Sequence, residues 1–354
     1  MTDRTSIRIM ISPIFSNQNP FINNFSKCLS DGEFDVSHFC WRPDLIAQAD
    51  VIIFHWPDNF FSSINAKAFI KTALKLAMLQ LARRLRSTRL IWVAHNARPH
   101  DSAARPSALT LLFIRSLDGI IYLSQCSRDV IHDLYQLHQT VPELITVHGH
   151  YRNNSVTAPK PFPGLESEIR LSNFGQIRPY KGVDDLVMRV SEMLDKSVIL
   201  TVIGRRNEEA LASRIETISR SALNIHLDLR STVIPHADLE AAIDDSHAVV
   251  LPYRDILNSG SALLALSRNR PILAPNIGSF PELQANVGAD WVYLYEGELT
   301  TKVLEQFLAW MHARLPQSCC NLSAYDWAPI RRDLCCFIEH LCRRNTAERN
   351  IEGN

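Results

Sequence analysis

The chain has 354 residues, 46% of them hydrophobic, with 37 basic side chains balanced by 37 acidic ones. That length leaves room for two cores, and the apolar fraction excludes a disordered chain. The charge balance excludes a global field that would draw the protein to nucleic acid, so any attraction to phosphate or to a membrane must be local.

Met1 to Ser6 is polar and shows no secretory apolar region, and no apolar run approaches the ~20 residues of a spanning helix. Eight cysteines stand at 28, 40, 126, 319, 320, 335, 336 and 342. None forms a CxxC pair, and adjacent doublets do not make a zinc cage. Reduced thiols and a cytoplasmic location are the reading that follows.

Short continuous apolar runs alternate with helical patterns along most of the chain, the signature of parallel strands covered on both faces. In the first half strands are expected at 7–11, 51–54, 90–93, 119–123 and 144–147. Between the second and third lies the helical run 66–86, with Lys67, Lys71 and Lys75 on one stripe and Arg83, Arg84 and Arg86 at its end. This is either a membrane-surface helix or an amphipathic core helix. A stretch rich in Pro, Ser and Asn follows, read as a linker over 156–168. In the second half strands are expected at 170–174, 198–203, 224–227, 247–251 and 271–274. The resulting division is 1–155, the linker, 169–325, and a tail over 326–354. Leu334, Phe337, Ile338 and Leu341 give that tail a helical apolar face, suited to crossing back to the first domain or to lying on the surface.

Two doubly wound α/β domains of this kind carry their chemistry just beyond the strand C-termini. Polar residues stand at those places: His55-Trp56-Pro57-Asp58, His95-Asn96, His148-Gly149-His150-Tyr151, Gly204-Arg205 and Pro252-Tyr253-Arg254. The segment Asn173 to Gly182 stands out. A strand runs into a glycine turn, then Arg178 and Lys181, then a helix, an arrangement suited to a diphosphate. It lacks the glycine spacing of a Walker or dinucleotide loop. Asn258, Ser259, Gly260 and Ser261 open a second helix after another strand, where amide N–H groups would face the same anion. Ser259 or Ser261 would equally serve as a plain N-cap. Arg254 is a third cation for the diphosphate, or a surface ion-pair partner.

Taken in order, HWPD (55–58), VAHNARPHD (93–101), VHGHYR (147–152), FGQIRPYKGV (174–183), VVLPYR (249–254), NSGSALLALSRNRPILAP (258–275) and WVYLYEGE (291–298) resemble a GT-B glycosyltransferase. The similarity is closer to the β-mannosyltransferases of xanthan-type exopolysaccharide assembly. The resemblance implies two Rossmann-like domains facing a central cleft, with the acceptor on the first and a nucleotide-sugar donor on the second. It further implies GDP-mannose as donor, a polyprenyl-diphosphate-linked oligosaccharide as acceptor and an inverted, β-linked product. The protein would be peripheral, at the cytoplasmic face of the inner membrane. The broader retaining group carries two glutamates eight positions apart. Aligned on Pro271, those positions hold Ile256 and Leu264, which argues against a retaining mechanism.

An inverting transfer needs a general base near the acceptor hydroxyl. Asp58 leads, with His95, His100 and Asp101 as rivals, while Asp58 as a helix cap and His95 as a loop tie are the plainer roles. No DxD pair follows a strand, so cations and amides rather than a metal are expected to hold the donor. His148, His150 and Tyr151 are placed at the hinge, in reach of donor phosphate or sugar. Glu282 and Glu296 are candidates for sugar, ribose or base contacts, or plain surface carboxylates.

Overall fold

A computed structural model of the chain describes residues 6–61, 66–97, 107–137, 141–165, 168–195, 197–314 and 319–352. It divides into two compact units, Met1–His148 with Asp326–Asn354, and Gly149–Tyr325. Each is built on one six-stranded parallel sheet.

The first unit runs β1 (Arg8–Ser12), α1 (Pro20–Ser30), β2 (Asp35–His38), α2 (Pro43–Ile46), β3 (Val51–Phe54), α3 (Asp58–Phe61), α4 (Ala66–Arg86), β4 (Arg89–Ala94), α5 (Ala108–Ile114), β5 (Gly119–Tyr122), α6 (Gln125–Tyr135) and β6 (Glu143–Ile145). Its strand order is β2-β1-β3-β4-β5-β6, so the winding reverses between β1 and β3. Every side chain of β3 and β5 is buried, as continuous apolar strands require.

The second unit runs β7 (Ile169–Gln176), α7 (Val183–Glu192), β8 (Val198–Arg205), α8 (Glu209–Ser219), β9 (Ile225–Arg230), α9 (His236–Asp244), β10 (Ala248–Val250), α10 (Gly260–Ser267), β11 (Ile272–Pro275), α11 (Phe280–Val287), β12 (Val292–Tyr295) and α12 (Thr301–Ala313). The order is β12-β11-β10-β7-β8-β9, and its reversal lies between β7 and β10. Beyond the C-terminal ends of two such strands, a doubly wound sheet binds its ligand. Gly175, expected in a turn after the strand, lies within β7, and the segments that follow β7 and β10 are the turn carrying Arg178 and Lys181 and the loop leading to Ser261.

The last helix, α13 (Trp327–Glu352), belongs to the first unit. Its Trp327, Ile330, Leu334, Ile338 and Leu341 join a core with Phe21, Phe25, Ile53 and Ile121. Gly119 permits that approach, since a Cβ there would lie 2.9 Å from Leu341 Cδ1.

Two edge strands, β2 and β12, are missing from the sequence expectation. The β2 side chains, Asp-Val-Ser-His, are mostly exposed, so no apolar run marks the strand. The stretch expected as a linker is tied onto the second unit over its first residues. Val156 and Thr157 donate their amides to the Glu240 carboxylate, at 3.1 and 3.2 Å. Arg268, fully buried, donates to Thr157 O at 2.6 Å and pairs with both Asp244 and Glu240. Arg270, also buried, donates to the carbonyls of Lys160 and Pro161. Arginines suit this duty because one planar fork serves several acceptors.

Removing one partner of a buried charge cluster strands the others. Arg268→Met is expected to lower unfolding free energy by about 3–5 kcal/mol, read by urea denaturation, by leaving Asp244 and Glu240 unpaired.

Candidate functional site

The second unit gathers its donor-type groups at the switch point. β7 and β8 run in register to Gly175↔Gly204, where the two backbones come together. A Cβ on Gly204 would sit 2.7 Å from Gly175 O, so only glycine fits there without displacing β7. Gly175 has φ +114°, and an added Cβ would meet Lys181 Nζ at 2.9 Å and Ser261 Oγ at 4.0 Å. The two loops thus converge on the Gly175 turn, with an ammonium and a hydroxyl over it.

Lys181 ends a short 3-10 turn (Pro179–Lys181) and is only 8% exposed. Its Nζ stands 5.3 Å from the centre of the Tyr253 ring, a cation–π distance. Burial works against the charged form. Tyr253, which hydrogen-bonds the ammonium, and Tyr180 outweigh that, and Arg178 opposes them in turn. The net result is a pKa above the ordinary lysine value. No carboxylate among the described residues pairs with this ammonium, and Arg178 is the neighbouring cation.

At α10, Ser259 is the N-cap and accepts from Ala262 N at 3.2 Å. Its hydroxyl therefore serves the helix, while Ser261 faces the turn. Gly260 is the first helical residue, and Asn258 immediately precedes the cap.

Arg254 makes ion pairs within the unit, the alternative to a diphosphate contact. It donates to Asp185 Oδ2 at 2.6 Å, Asp184 Oδ1 at 2.9 Å and Pro179 O at 2.6 Å. Burial lowers its pKa and the two aspartates raise it further, leaving it above the ordinary value. Its job is to buckle the turn carrying Lys181 to the first turn of α7, which contributes Asp184 and Asp185. Gly182 sits between them at φ +63°, and a Cβ would lie 2.1 Å from Pro252 O.

The carboxylates expected at the donor divide. Glu296 is exposed and accepts from Asn276 Nδ2 at 2.6 Å, beyond the paired ends of β11 and β12. Glu282 lies in the first turn of α11, and its charge acts on Tyr325, whose hydroxyl accepts from Asn286. Neither is among the groups that meet at Gly175. The hinge residues fall on two sides of the division. His148 is buried in the first unit with its ring 4.4 Å from Phe21, whereas His150 and Tyr151 belong to the second. His150 N donates to Tyr325 O and Tyr151 N to Ser267 Oγ. The buried Tyr151 phenol is raised well above its ordinary pKa by desolvation.

In the first unit, Asp58 opens the short helix α3, and His100 and Asp101 lie outside the described residues. His95 follows β4 and has a partner that sequence reasoning gave no role, His55, which follows β3. His55 Nδ1 and His95 Nε2 are 2.9 Å apart, both rings buried, with Phe21, Phe25 and Trp56 around them. Adjacency of two histidines one residue past neighbouring parallel strands is the signal that predicts such a pair. Desolvation pushes His55 down to about 3, and desolvation followed by the charges of His55 and His148 pushes His95 well below the usual value. Both imidazoles are therefore neutral at physiological pH. Among the described residues no three His, Cys, Asp or Glu side chains gather as a metal would need.

For a pair whose folded pKa lies below the unfolded one, the unfolded chain binds protons first as pH falls. Stability is thus full above the unfolded value near 6.5 and is lost as pH drops toward about 3. Urea unfolding between about pH 7 and about pH 5 is expected to show a loss approaching ~1.4 kcal/mol per pH unit for each imidazole. His55→Gln removes one of the two contributions and flattens the slope.

No family model matches the chain. In sequence it is 29% identical over 317 residues to the GDP-mannose:glycolipid 4-β-D-mannosyltransferase of Xanthomonas campestris pv. campestris, covering 89% of this chain and 86% of that one. In structure it is similar to HepE of Anabaena bound to UDP-glucose, at 12% identity and TM-score 0.62, covering 96% and 99% of the two chains. Sucrose-phosphate synthase of Thermosynechococcus elongatus gives TM-score 0.60 at 12% identity, covering 99% and 100%. These two likenesses share a fold with this chain, two Rossmann-like units of the GT-B kind. The chain thus has the GT-B fold, and its sequence likeness to a GDP-mannose:glycolipid 4-β-D-mannosyltransferase runs through both units.

Proposed function

We propose that this protein transfers mannose from GDP-mannose to a glycolipid, an oligosaccharide on polyprenyl diphosphate, inverting the anomeric centre to give a β-mannoside. The work belongs to exopolysaccharide repeat-unit assembly at the cytoplasmic face of the inner membrane, with the protein held there peripherally. The donor and acceptor named for the Xanthomonas relative support this reading.

One observation carries it: a buried lysine ammonium that has aromatic neighbours and, among the described residues, no carboxylate, over Gly175 at the β7/β10 switch point. Its neighbours keep it protonated, so an uncancelled positive charge stands there for an anion. A nucleoside diphosphate leaving group is such an anion, and its charge grows as the sugar departs. Lys181, Arg178, the Ser261 hydroxyl and the first amides of α10 would stabilise that charge without reorganising. The acceptor hydroxyl loses its proton to a base we place among Asp58, His100 and Asp101. His95 is the weaker choice, since burial depresses its basicity.

Lys181→Met separates activity from stability. Transfer from GDP-mannose is expected to fall about 10²–10³-fold in kcat/KM, while the ligand-free protein stays folded and loses only the modest stability that the raised lysine pKa represents. Lys181→Arg should restore part of the rate. Unchanged transfer in Lys181→Met sinks the donor assignment. Greater thermal stabilisation by UDP-glucose than by GDP-mannose sinks the choice of donor.

A further inference from the structure

Helix α4 has two apolar faces. One looks inward, where Thr72, Leu76, Leu79 and Ala82 are buried. The other carries Ile70, Leu74, Leu81 and Leu85, which are 60%, 67%, 57% and 66% exposed. At 100° per residue these four fall within one narrow stripe, and Ala77 lies on it as well. Isolated exposed leucines are ordinary, but four large aliphatics aligned along one helix make a patch that needs an occupant.

The charges on this helix are of one sign. Ala66–Arg86 contains six cations and no Asp or Glu, in a chain whose total charge is zero. Two of the six are engaged inward: Lys75 stands 4.8 Å from the Trp41 ring centre, and Arg83 makes a bidentate pair with Asp118. Lys67, Lys71, Arg84 and Arg86 are exposed, and no carboxylate among the described residues pairs with them. The outward face is therefore an aliphatic stripe flanked at both ends by unneutralised cations. A second copy of the same face would bring those cations together, which argues against self-association. None of the described helices is long and apolar enough to cross a membrane.

We propose that the outward face of α4 is the surface by which this protein docks on an anionic lipid bilayer. Ile70, Leu74, Leu81 and Leu85 enter the boundary between headgroups and acyl chains, with the helix lying in the membrane plane. Lys67, Lys71, Arg84 and Arg86 meet anionic headgroups. The inference rests on the glycolipid-acceptor reading, which gives the protein a reason to work at a bilayer, and it names the lipid chemistry and the side chains.

The test is co-sedimentation of the full chain with vesicles, either pure phosphatidylcholine or one-third phosphatidylglycerol. The wild type is expected to bind the anionic vesicles at least about ten-fold more tightly, with affinity falling as salt rises. Leu74→Ser/Leu81→Ser and Lys67→Gln/Lys71→Gln should each cost about ten-fold or more on anionic vesicles. All four positions are exposed, so thermal unfolding stays at the wild-type temperature, and transfer to a detergent-dispersed acceptor is retained. Equal binding to both vesicle types, binding to neither, or full binding by the double variants overturns the proposal. So does a wild-type dimer in solution that Leu74→Ser/Leu81→Ser dissolves, which would make the stripe an interface between copies. Loss of transfer to the dispersed acceptor in the wild type would instead count against the glycolipid reading, independently of the vesicle result.

Discussion

The arrangement of the second unit turns on an unbalanced charge. Lys181 is buried, its ammonium rests against the Tyr253 ring, and no carboxylate among the described residues cancels it. Desolvation works against a buried cation, and here the neighbouring tyrosines outweigh it. Evolution keeps such groups where a ligand completes them. The ring is an apt neighbour, since it holds the side chain in place while leaving the full charge for an incoming anion. A carboxylate there would compete with the diphosphate for the same ammonium.

Two carboxylates do stand close by, and their treatment explains Arg254. Asp184 and Asp185 occupy the first turn of α7, where acidic side chains favour the helix dipole. Left bare, they would repel a diphosphate held at the adjacent turn. Arg254 spans both and also takes the Pro179 carbonyl. It thus neutralises the unwanted charge and fixes the turn that carries Lys181. Gly182 makes the geometry feasible, since no side chain fits against the Pro252 carbonyl. Three neighbouring positions, 181, 182 and 254, divide the tasks of supplying charge, permitting approach and screening.

Much of this was legible in the residue order. The ten expected apolar runs all correspond to strands, and the central ones are plainest because a strand covered on both faces has no choice but to be apolar, while β6 and β9 lie at the sheet edges and are only partly buried. The edge strand β2 escaped notice for the opposite reason: with most of its side chains in water, Asp35–His38 carries no pattern. Proximity of Lys181 and Ser261 to one glycine turn was foreseen from two loops about eighty residues apart, since both follow central strands. The partner of Arg254 was not foreseen. Whether a strand-end arginine meets phosphate or aspartate depends on where the first turn of α7 points, and no spacing rule encodes that. His55 stood among the polar residues expected beyond the strand ends, but its pairing with His95 depends on the alignment of β3 with β4, which one strand end alone does not show.

The His55–His95 pair also bears on which group takes the acceptor's proton. Each neutral imidazole has one N–H and one lone pair, and the 2.9 Å contact uses one of each. His55 Nε2 is buried and has no hydrogen-bond partner among the described residues. Orphaned buried donors are rarer than under-used acceptors, so that nitrogen is better bare than protonated. His55 then carries its proton on Nδ1 and donates it to His95 Nε2. This arrangement occupies the lone pair of His95 and leaves its proton on Nδ1. The ring of His95 then keeps its proton on Nδ1, and burial depresses its basicity. For the transfer we propose, His95 is therefore the weaker base beside Asp58, His100 and Asp101, and of these Asp58, two residues after Trp56, whose ring stacks on His95, stands nearest in sequence to the pair.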